Sequence, residues 1–387
     1  MTVSTPTRTL DIRALPATRE TLAYQNGGLF PVMDLAADGT AVAAVRGGAG
    51  HLGREGRMEA IRSTDGGMTW SQPYLIADSD DDDRNAAFGV SKEGTLVLLY
   101  HRQHNYDAEG NYQGGTRSAS GIPISIMATR SLDGGLSWEE PSALSIDSLP
   151  TGSPFGKIVS LADGTLVAPV YNFHAWGGAQ SKERIDNAYV VRSKDDGRTW
   201  GDVSLIASNK NETALIALPN GDLLAVLRGS DSPQGLHSAR SADGGRTWSA
   251  PVQVTQPRQH PADLIRLSNG DILFVYGNRN PPYRIEGLIS RDGGHTWLDL
   301  LLTFSGHLYG YTREETRATD LGYPSSVVGT DGQGITMYYY NPDMRTRRDA
   351  HQRAGNPLYG HTNYCAVAVS WQEDELIAAV DSAISGQ

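Results

Sequence analysis

The most regular pattern in the chain is an apolar run, a tight turn and a second apolar run, and it occurs six times. In each copy an acidic or amide residue precedes Gly at the turn, and Leu, Val, Ile and Ala dominate the runs beside it. The six turns are Asp38-Gly39, Glu93-Gly94, Asp163-Gly164, Asn220-Gly221, Asn269-Gly270 and Asp331-Gly332. Short branched apolar runs on both sides of such a turn predict β-hairpins. The pattern therefore predicts six small all-β units.

A second repeat follows five of these hairpins and reads Ser-x-Asp-x-Gly-x-Thr/Ser-Trp. Its copies begin at Ser63, Ser131, Ser193, Ser241 and Ser290. The Asp can accept hydrogen bonds from the backbone that follows it, the Gly supplies a positive φ, and the Thr hydroxyl can hold the turn from the far strand. The Trp ring can pack between neighbouring units. Such a repeat at a period of roughly 50 residues is typical of propeller blades.

Together the two repeats predict one all-β domain over residues 1–387, a six-bladed β-propeller with almost no helix. The expected blades are 25–78, 79–147, 148–207, 208–256, 257–303 and 304–387. The sixth lacks the octet, and Tyr364–Trp371 is predicted to supply its outer strand. Residues of about 8–14 are predicted to add a strand to that last blade, which would close the ring and remove free sheet edges.

Composition narrows the choice of partners. The net charge of −11 disfavours nucleic acid and anionic membranes. A single cysteine, Cys365, excludes an intramolecular disulfide and a zinc cluster, and no metal or cofactor is predicted. Neither an apolar leader nor a stretch of membrane-spanning length is present. We therefore expect a cytoplasmic protein, or a secreted one whose signal has been removed.

Four stretches are longer than blade connections require, and each follows the second strand of its hairpin. They are 47–58, 103–121, 172–187 and 341–362, and a further long link spans 303–320. All four should project from the same face, where binding residues commonly sit. The acidic run Asp80–Asp83 is interpreted as a solvated loop, with a calcium site or a pocket role for Asp83 as alternatives.

Hairpin symmetry predicts which side chains meet on that face, because residues equidistant from a turn end at the same end of a hairpin. The sets placed there are Phe30 with Arg46, Arg84 and Asn85 with His101 and Arg102, Lys157 with Tyr171 and Asn172, Glu212 with Arg228, His260 with Arg279, and Tyr323 with Tyr340 and Asn341. Six converging hairpins should gather them into one basin. Concentrated charge is costly unless it is used, so the basin is the predicted functional site.

The octet is the Asp box, and with it the chain resembles the sialidase (BNR-repeat) superfamily of propellers over essentially its whole length. The Glu and Arg of that superfamily's fourth hairpin match Glu212 and Arg228. Its nucleophilic Tyr matches Tyr323 in Gly322-Tyr-Pro-Ser-Ser326, and Arg279 matches another arginine of its carboxylate-binding triad. The resemblance implies a Tyr323 nucleophile assisted by Glu212, with Arg228 and Arg279 binding substrate and favouring the ionised phenol.

The chain departs from that pattern at two places. Leu29-Phe30-Pro31 stands where the superfamily has its first arginine, and the loop 47–58 has no counterpart of its Asp acid/base. The candidates for protonating the leaving oxygen are His51, Glu55 and Asp83. The further substrate-binding candidates are Arg84, His260, Lys157, Arg46, Arg102, Asn341 and Trp176, the last expected to stack on a sugar or to pack its own loop.

The resemblance implies an exo-acting glycosidase that removes a terminal sugar, acidic or neutral, from an oligo- or polysaccharide. Two alternatives remain open. A polysaccharide lyase would use Arg228 and Arg279 to neutralise a uronate, while Tyr323 or His260 removes the C5 proton. A carbohydrate-binding propeller would use the same basin without catalysis.

Overall fold

Six mainly antiparallel sheets surround a common axis, and in each sheet consecutive strands run from the axis outwards. The computed structural model describes residues 6–104, 106–110, 112, 124–173, 186–230, 234–306, 308, 320–341 and 364–386. The prediction of a six-bladed propeller is confirmed. Each of the six predicted turns joins the two inner strands of one blade. The glycine of each turn supplies the positive φ that the tight hairpin needs.

Two strands precede the first blade. They are β1 (Arg8–Asp11), which a 3-10 turn (Ile12–Ala14) follows, and β2 (Arg19–Gln25). Blade one contains β3 (Leu29–Leu35), β4 (Ala41–Gly47), β5 (Arg57–Ser63) and β6 (Tyr74–Ala77). Blade two contains β7 (Asp82–Val90), β8 (Leu96–Gln103), β9 (Ser125–Ser131) and β10 (Ser142–Ala143). The inner strand of blade three is broken into β11 (Ser153–Pro154), β12 (Gly156–Lys157) and β13 (Val159–Ser160), before β14 (Leu166–Phe173), β15 (Asp186–Ser193) and β16 (Gly201–Ser208).

The other three blades complete the ring. Blade four contains β17 (Lys210–Ala217), β18 (Leu223–Gly229), β19 (Leu236–Ser241) and β20 (Val252–Gln253). Blade five contains β21 (Gln259–Arg266), β22 (Ile272–Asn278), β23 (Arg284–Ser290) and β24 (Leu300–Thr303). Blade six contains β25 (Gly322–Val328), β26 (Gln333–Tyr340) and β27 (Cys365–Gln372), and the chain ends in helix α1 (Glu373–Ser385). No helix in these described ranges is long and apolar enough to cross a membrane.

The ring is closed by β2, and the prediction that residues 8–14 do this is wrong. β2 pairs antiparallel with β27 as the outer strand of blade six. β1 instead pairs in parallel with β24 and extends blade five. Helix α1, which the sequence pattern did not reveal, buries Leu376 and Val380 in the apolar cluster shared by blades five and six. The N-terminal and C-terminal segments thus cover two neighbouring blades together.

The five Asp boxes lie in outer hairpins and make the predicted contacts. In the first box the Asp65 carboxylate accepts hydrogen bonds from the Ser63 hydroxyl (2.8 Å), the Thr69 amide (2.9 Å) and the Thr69 hydroxyl (2.6 Å). The Trp70 indole donates to the Gly67 carbonyl (3.1 Å). Hydrogen bonds to a carboxylate favour its charged form. In the second box, where burial opposes them, the bonds from Ser137 and Ser131 still lower the pKa of Asp133 to about 2.

These boxes predict a small loss of stability in acid. A carboxyl whose pKa is lower in the folded than in the unfolded state stabilises the fold above its ordinary value of 3.8, and this contribution disappears as the pH falls towards 2. At pH 7 the Asp133→Asn protein should melt below wild type, by about 2 °C or less. At pH 2 the two proteins should melt at nearly the same temperature. Thermal melts at stepwise pH test this, with the exposed Asp147 changed to Asn as control. A difference that persists unchanged at pH 2 contradicts it.

The blades are held together at the axis by an ion pair that crosses it. The Lys157 ammonium donates to the Asp263 carboxylate (2.9 Å) and to the Ser326 carbonyl (2.5 Å), which joins blades three, five and six. Asp34 of blade one lies close by, and burial raises the pKa of both Asp34 and Asp263 against the opposing charge of Lys157. Lys157 is therefore an axial structural residue, and the prediction that it lies among the basin residues is wrong.

Replacement of Lys157 by Met is expected to lower the free energy of unfolding by about 3–5 kcal/mol, because Asp263 would stay buried without its partner. Urea unfolding followed by tryptophan fluorescence measures this. Lys194→Met, at an exposed position, removes the same charge and should change stability by less than about 0.5 kcal/mol. Equal effects of the two substitutions would show that the axial pair is not needed.

Candidate active site

Glu212, Arg228 and Tyr323 form one hydrogen-bonded cluster at the open end of the axis. The Tyr323 hydroxyl donates to Glu212 Oε1 at 2.5 Å. Arg228 Nη1 donates to Glu212 Oε2 (2.7 Å) and to the Tyr323 hydroxyl (3.3 Å). Hairpin symmetry predicted the first pair, since Glu212 and Arg228 lie on the facing strands β17 and β18. The predicted contact between Tyr323 and Glu212 is present.

A bulge in the inner strand turns Tyr323 towards the axis. The pairing of β25 with β26 shifts register between Gly322 and Ser325, and Tyr323 has a φ of 50°. Phe30 and Asn85 have φ values of 53° and 52° at the equivalent bulges of β3 and β7. A positive φ is unusual for such residues and is commonly retained at functional sites. Bulges re-aim side chains, and here three of them direct side chains into the same basin.

The charge state of the cluster differs from the expectation that two arginines would favour the ionised phenol. Burial and the neighbouring Glu212 carboxylate raise the pKa of Tyr323, and they outweigh the attraction of Arg228 and Arg279. Burial by itself would raise the pKa of Glu212 too, but the charge of Arg228 and the bond from Tyr323 hold that pKa below its ordinary value. The resting site therefore contains a neutral phenol that donates to a carboxylate.

Aromatic rings enclose the Tyr323 phenol on several sides. Its ring centroid lies 4.8 Å from that of Phe30, 5.1 Å from Phe155 and 5.6 Å from Tyr339. Tyr364 and Tyr171 belong to the same buried cluster. Phe155, Tyr339 and Tyr364 were not predicted as members of the site. Tyr339 and Tyr364 lie at or beside ends of β26 and β27 on the open face, so hairpin symmetry could have placed both there.

Blade five contributes Arg279 and His260 to this region. The Arg279 guanidinium stacks on the Tyr323 ring, with Cζ 5.5 Å from the centroid, and donates to the Leu321 carbonyl (3.0 Å and 3.2 Å). Burial, together with the charges of Arg228 and Arg279, lowers the pKa of His260 well below its ordinary value. His260 is therefore a neutral imidazole beside two cations.

His51 enters the basin from the loop 47–58 and is paired with a carboxylate. Its Nδ1 lies 3.2 Å from Asp320 Oδ2, and its ring meets the edge of Phe30 at 5.1 Å between centroids. Asp320 also accepts hydrogen bonds from the Tyr339 and Tyr364 hydroxyls, both at 2.5 Å. Burial lowers the pKa of His51, while Asp320 opposes this effect. Asp320 was missed because it stands at the end of a long link, outside every hairpin.

Three other candidates, Asp83, Arg46 and Arg102, are held in ion pairs. Asp83 is wholly buried and accepts hydrogen bonds from Arg102 (3.0 Å) and the Ser79 amide (2.8 Å). Arg46 is also wholly buried, binds Asp82 and donates to the Gly50 carbonyl (2.9 Å). Their complete burial argues against a catalytic Asp83 and a substrate-binding Arg46. Arg102, whose side chain is 26% exposed, stays a predicted substrate-binding residue. Because Asp82 and Asp83 are buried, the acidic run 80–83 is not a solvated loop over its whole length.

The remaining candidates are Asn341, Trp176, Glu55 and Arg84. Asn341 is buried beyond the end of β26, and Trp176 lies outside the described residues. Glu55 is exposed in the loop 47–58. Arg84 is buried on the blade-two side of the basin, with Cζ 5.8 Å from the Phe30 ring centroid.

A separate groove of about 1080 Å³ lies at the side of the propeller between β19, β20, β22 and β23. Its buried carboxylate, Glu286, already binds Asn278 (2.9 Å) and Arg284 (3.0 Å). In the part of the chain that the structure describes, no group of three or more His, Cys, Asp or Glu side chains is arranged to hold a metal ion.

Comparisons with known proteins agree with this geometry. Residues 39–335 match the family described as BNR repeat-like domain. A sialidase of Micromonospora viridifaciens is 25% identical over 246 residues, which cover 60% of this chain and 37% of that protein. The chain thus matches little more than a third of this relative's length. Its fold is similar to that of a protein of unknown function from Dyadobacter fermentans (TM-score 0.72, 22% identity, 92% of this chain and 100% of that one).

A second structural comparison concerns a sialidase of Trypanosoma rangeli that was solved in complex with sialic acid. Its TM-score is 0.65 at 14% identity, and the match covers 96% of this chain and 60% of that one. At such identity the likeness shows the fold alone. Family and fold together are those of glycosidase-type or carbohydrate-binding propellers.

Proposed function

We propose that this protein is an exo-acting glycosidase that hydrolyses a terminal sugar from an oligo- or polysaccharide. The chain belongs to the BNR repeat-like family of the sialidase superfamily, and this membership supports the proposal. The observation that carries the proposal is the bond of 2.5 Å between the Tyr323 hydroxyl and Glu212, at the centre of the basin. A tyrosine with a carboxylate base is a known substitute for the usual carboxylate nucleophile of glycosidases.

In the first step Tyr323 Oη attacks the anomeric carbon and its proton passes to Glu212, while the bond to the leaving oxygen breaks. Because the resting phenol is neutral, Glu212 must take this proton as the bond forms. Arg228 contacts both groups and would stabilise the charge that moves between them. The product of the step is a glycosyl-tyrosine and a free alcohol.

The leaving oxygen needs a proton, and His51 is the group that would supply it. His51 was one of three candidates for this proton, and it lies in the basin. Of the other two, Asp83 is engaged by Arg102 and Glu55 is exposed. Asp320 would orient the ring through its contact with Nδ1. In the second step His51 takes a proton from water, which attacks the anomeric carbon, and Tyr323 leaves with the proton from Glu212.

A panel of glycosides with acidic and neutral terminal sugars tests this function. We expect release of one terminal sugar, with retention of the anomeric configuration because two displacements occur. A product that absorbs in the near ultraviolet would instead indicate a lyase. Binding of a glycan without turnover, unaffected by Tyr323→Phe and Glu212→Gln, would indicate a binding propeller.

A further inference from the structure

Arg84 is a buried guanidinium that makes no hydrogen bond within the described part of the chain. Its side chain is 7% exposed, and its Nε is buried without a partner. Its nearest carboxylate oxygen is Asp82 Oδ2, 3.7 Å from Nη1, which is beyond hydrogen-bonding distance. That carboxylate already binds Arg46 and the Tyr106 hydroxyl (2.5 Å). Arg84 thus shares an anion whose hydrogen bonds go to other groups.

Such an arrangement is costly in a resting protein. A guanidinium has five N–H donors, and a buried charge is normally paired and hydrogen-bonded. The other two arginines of the basin do donate hydrogen bonds, since Arg228 binds Glu212 and Arg279 binds the Leu321 carbonyl. The cost at Arg84 is accounted for if its donors are completed by a ligand.

The position of Arg84 is distinct from that of the arginines around the phenol. Contacts run in the order Arg84, Phe30, Tyr323 and Arg279, with separations of 5.8 Å, 4.8 Å and 5.5 Å. Phe30 and Tyr323 thus separate two cationic regions, one beside the nucleophile and one on the blade-two side. Position 29, where related propellers carry an arginine, is the buried apolar Leu29.

We propose that Arg84 forms an oxyanion subsite on the blade-two side of the basin, which binds a carboxylate or sulfate substituent of the carbohydrate. This rests on the proposed function and names the substrate class of the same site. Guanidinium pairs well with planar and tetrahedral oxyanions through two parallel hydrogen bonds. Asn85, whose side chain donates to Ser153 Oγ (2.9 Å) and Tyr171 Oη (3.3 Å), fixes the strand beside it.

Anion binding without turnover tests the subsite directly. Melting temperatures of wild type are measured against sodium acetate and sodium sulfate at constant ionic strength, with chloride as the balancing salt. We expect a saturable rise for the anion that fits, and in Arg84→Gln only the gradual, unsaturated change that salts cause in general. Arg198→Gln removes an equal charge at an exposed Asp-box position and should keep the saturable rise.

The variant is expected to fold, because Asp82 keeps Arg46 as its partner. A circular dichroism spectrum like that of wild type confirms this before binding is compared. Saturation by acetate indicates a carboxylate substituent, and saturation by sulfate indicates a sulfate ester. A saturable rise that is the same in Arg84→Gln, or that occurs with neither anion in wild type, overturns the proposal.

The kinetic counterpart separates this inference from the proposed function. If turnover is found, Arg84→Gln should raise KM for the anionic substrate about tenfold or more, while KM for its neutral analogue stays the same. Equal changes for both substrates would contradict the subsite but not the glycosidase. If no glycoside is turned over while the anion still binds through Arg84, the function fails and the subsite stands.

Discussion

Replacing Tyr323 by Phe is expected to lower kcat on the order of 10³-fold or more, with little change in substrate affinity. The substitution removes only the hydroxyl, which is the proposed nucleophile and the donor to Glu212. The ring itself would keep its contacts with Phe30 and Phe155, so the shape of the basin should be preserved. Steady-state kinetics on the substrate that the panel identifies, together with calorimetric binding, measure both quantities.

Tyr100→Phe is the matched control for this experiment. Tyr100 is a buried tyrosine of β8 whose hydroxyl accepts a bond from Arg102 (3.4 Å), outside the basin. Its replacement should leave kcat unchanged. Wild-type turnover in Tyr323→Phe would remove the nucleophile assignment, and an equal loss in Tyr100→Phe would mean that the effect is general destabilisation.

The sequence allowed the blade number and the central pair to be predicted because both depend on local periodicity. Six Asp/Asn/Glu-Gly turns define six hairpins, and the symmetry of one hairpin places Glu212 opposite Arg228. Tyr323 was located through the resemblance, and its contact with Glu212 follows from the convergence of the blades at the axis. These inferences require only the knowledge of which end of each strand faces the basin.

What could not be predicted depends on contacts between distant segments. The choice of β2 over β1 to close the ring requires knowing which edge is still open, and hydrophobic pattern alone does not distinguish the two strands. Arg46 and Asp83 have the right position and chemistry for the basin, but partners from neighbouring segments bind them. Asp320 accepts hydrogen bonds from two tyrosines and contacts His51, and all three lie in other segments of the chain.

Phenol ionisation was mispredicted for a related reason. The two arginines near Tyr323 were counted, but the burial of the ring and the close Glu212 carboxylate, which together raise its pKa, were not. Desolvation disfavours the phenolate, and the Glu212 carboxylate, at 2.5 Å, lies closer to the phenol oxygen than Arg228 does, at 3.3 Å. The correction changes the mechanism, because Glu212 must then remove the proton during attack.

Replacing His51 by Gln is expected to reduce turnover in a way that depends on the leaving group. A general acid contributes about 10²–10⁴-fold when the departing oxygen is a poor leaving group. For a sugar-alcohol linkage we expect a loss in that range. For a 4-nitrophenyl glycoside, whose phenolate departs without a proton, the loss should be less than about tenfold. Comparison of kcat/KM for the two substrates in wild type and variant gives this ratio.

The pH profile supplies an independent readout of the same residue. Burial lowers the pKa of His51 below its ordinary value of 6.5, so the protonated acid is lost as the pH rises through that lower value. Wild-type kcat/KM for the sugar-alcohol linkage should therefore fall with rising pH along a limb below 6.5, and His51→Gln should lack that limb. His104→Gln is the control, because His104 forms a similar pair with Asp81 (2.7 Å) outside the basin. A limb that survives in His51→Gln, or a loss equal for both leaving groups, would assign the proton to another donor and leave His51 with a structural role.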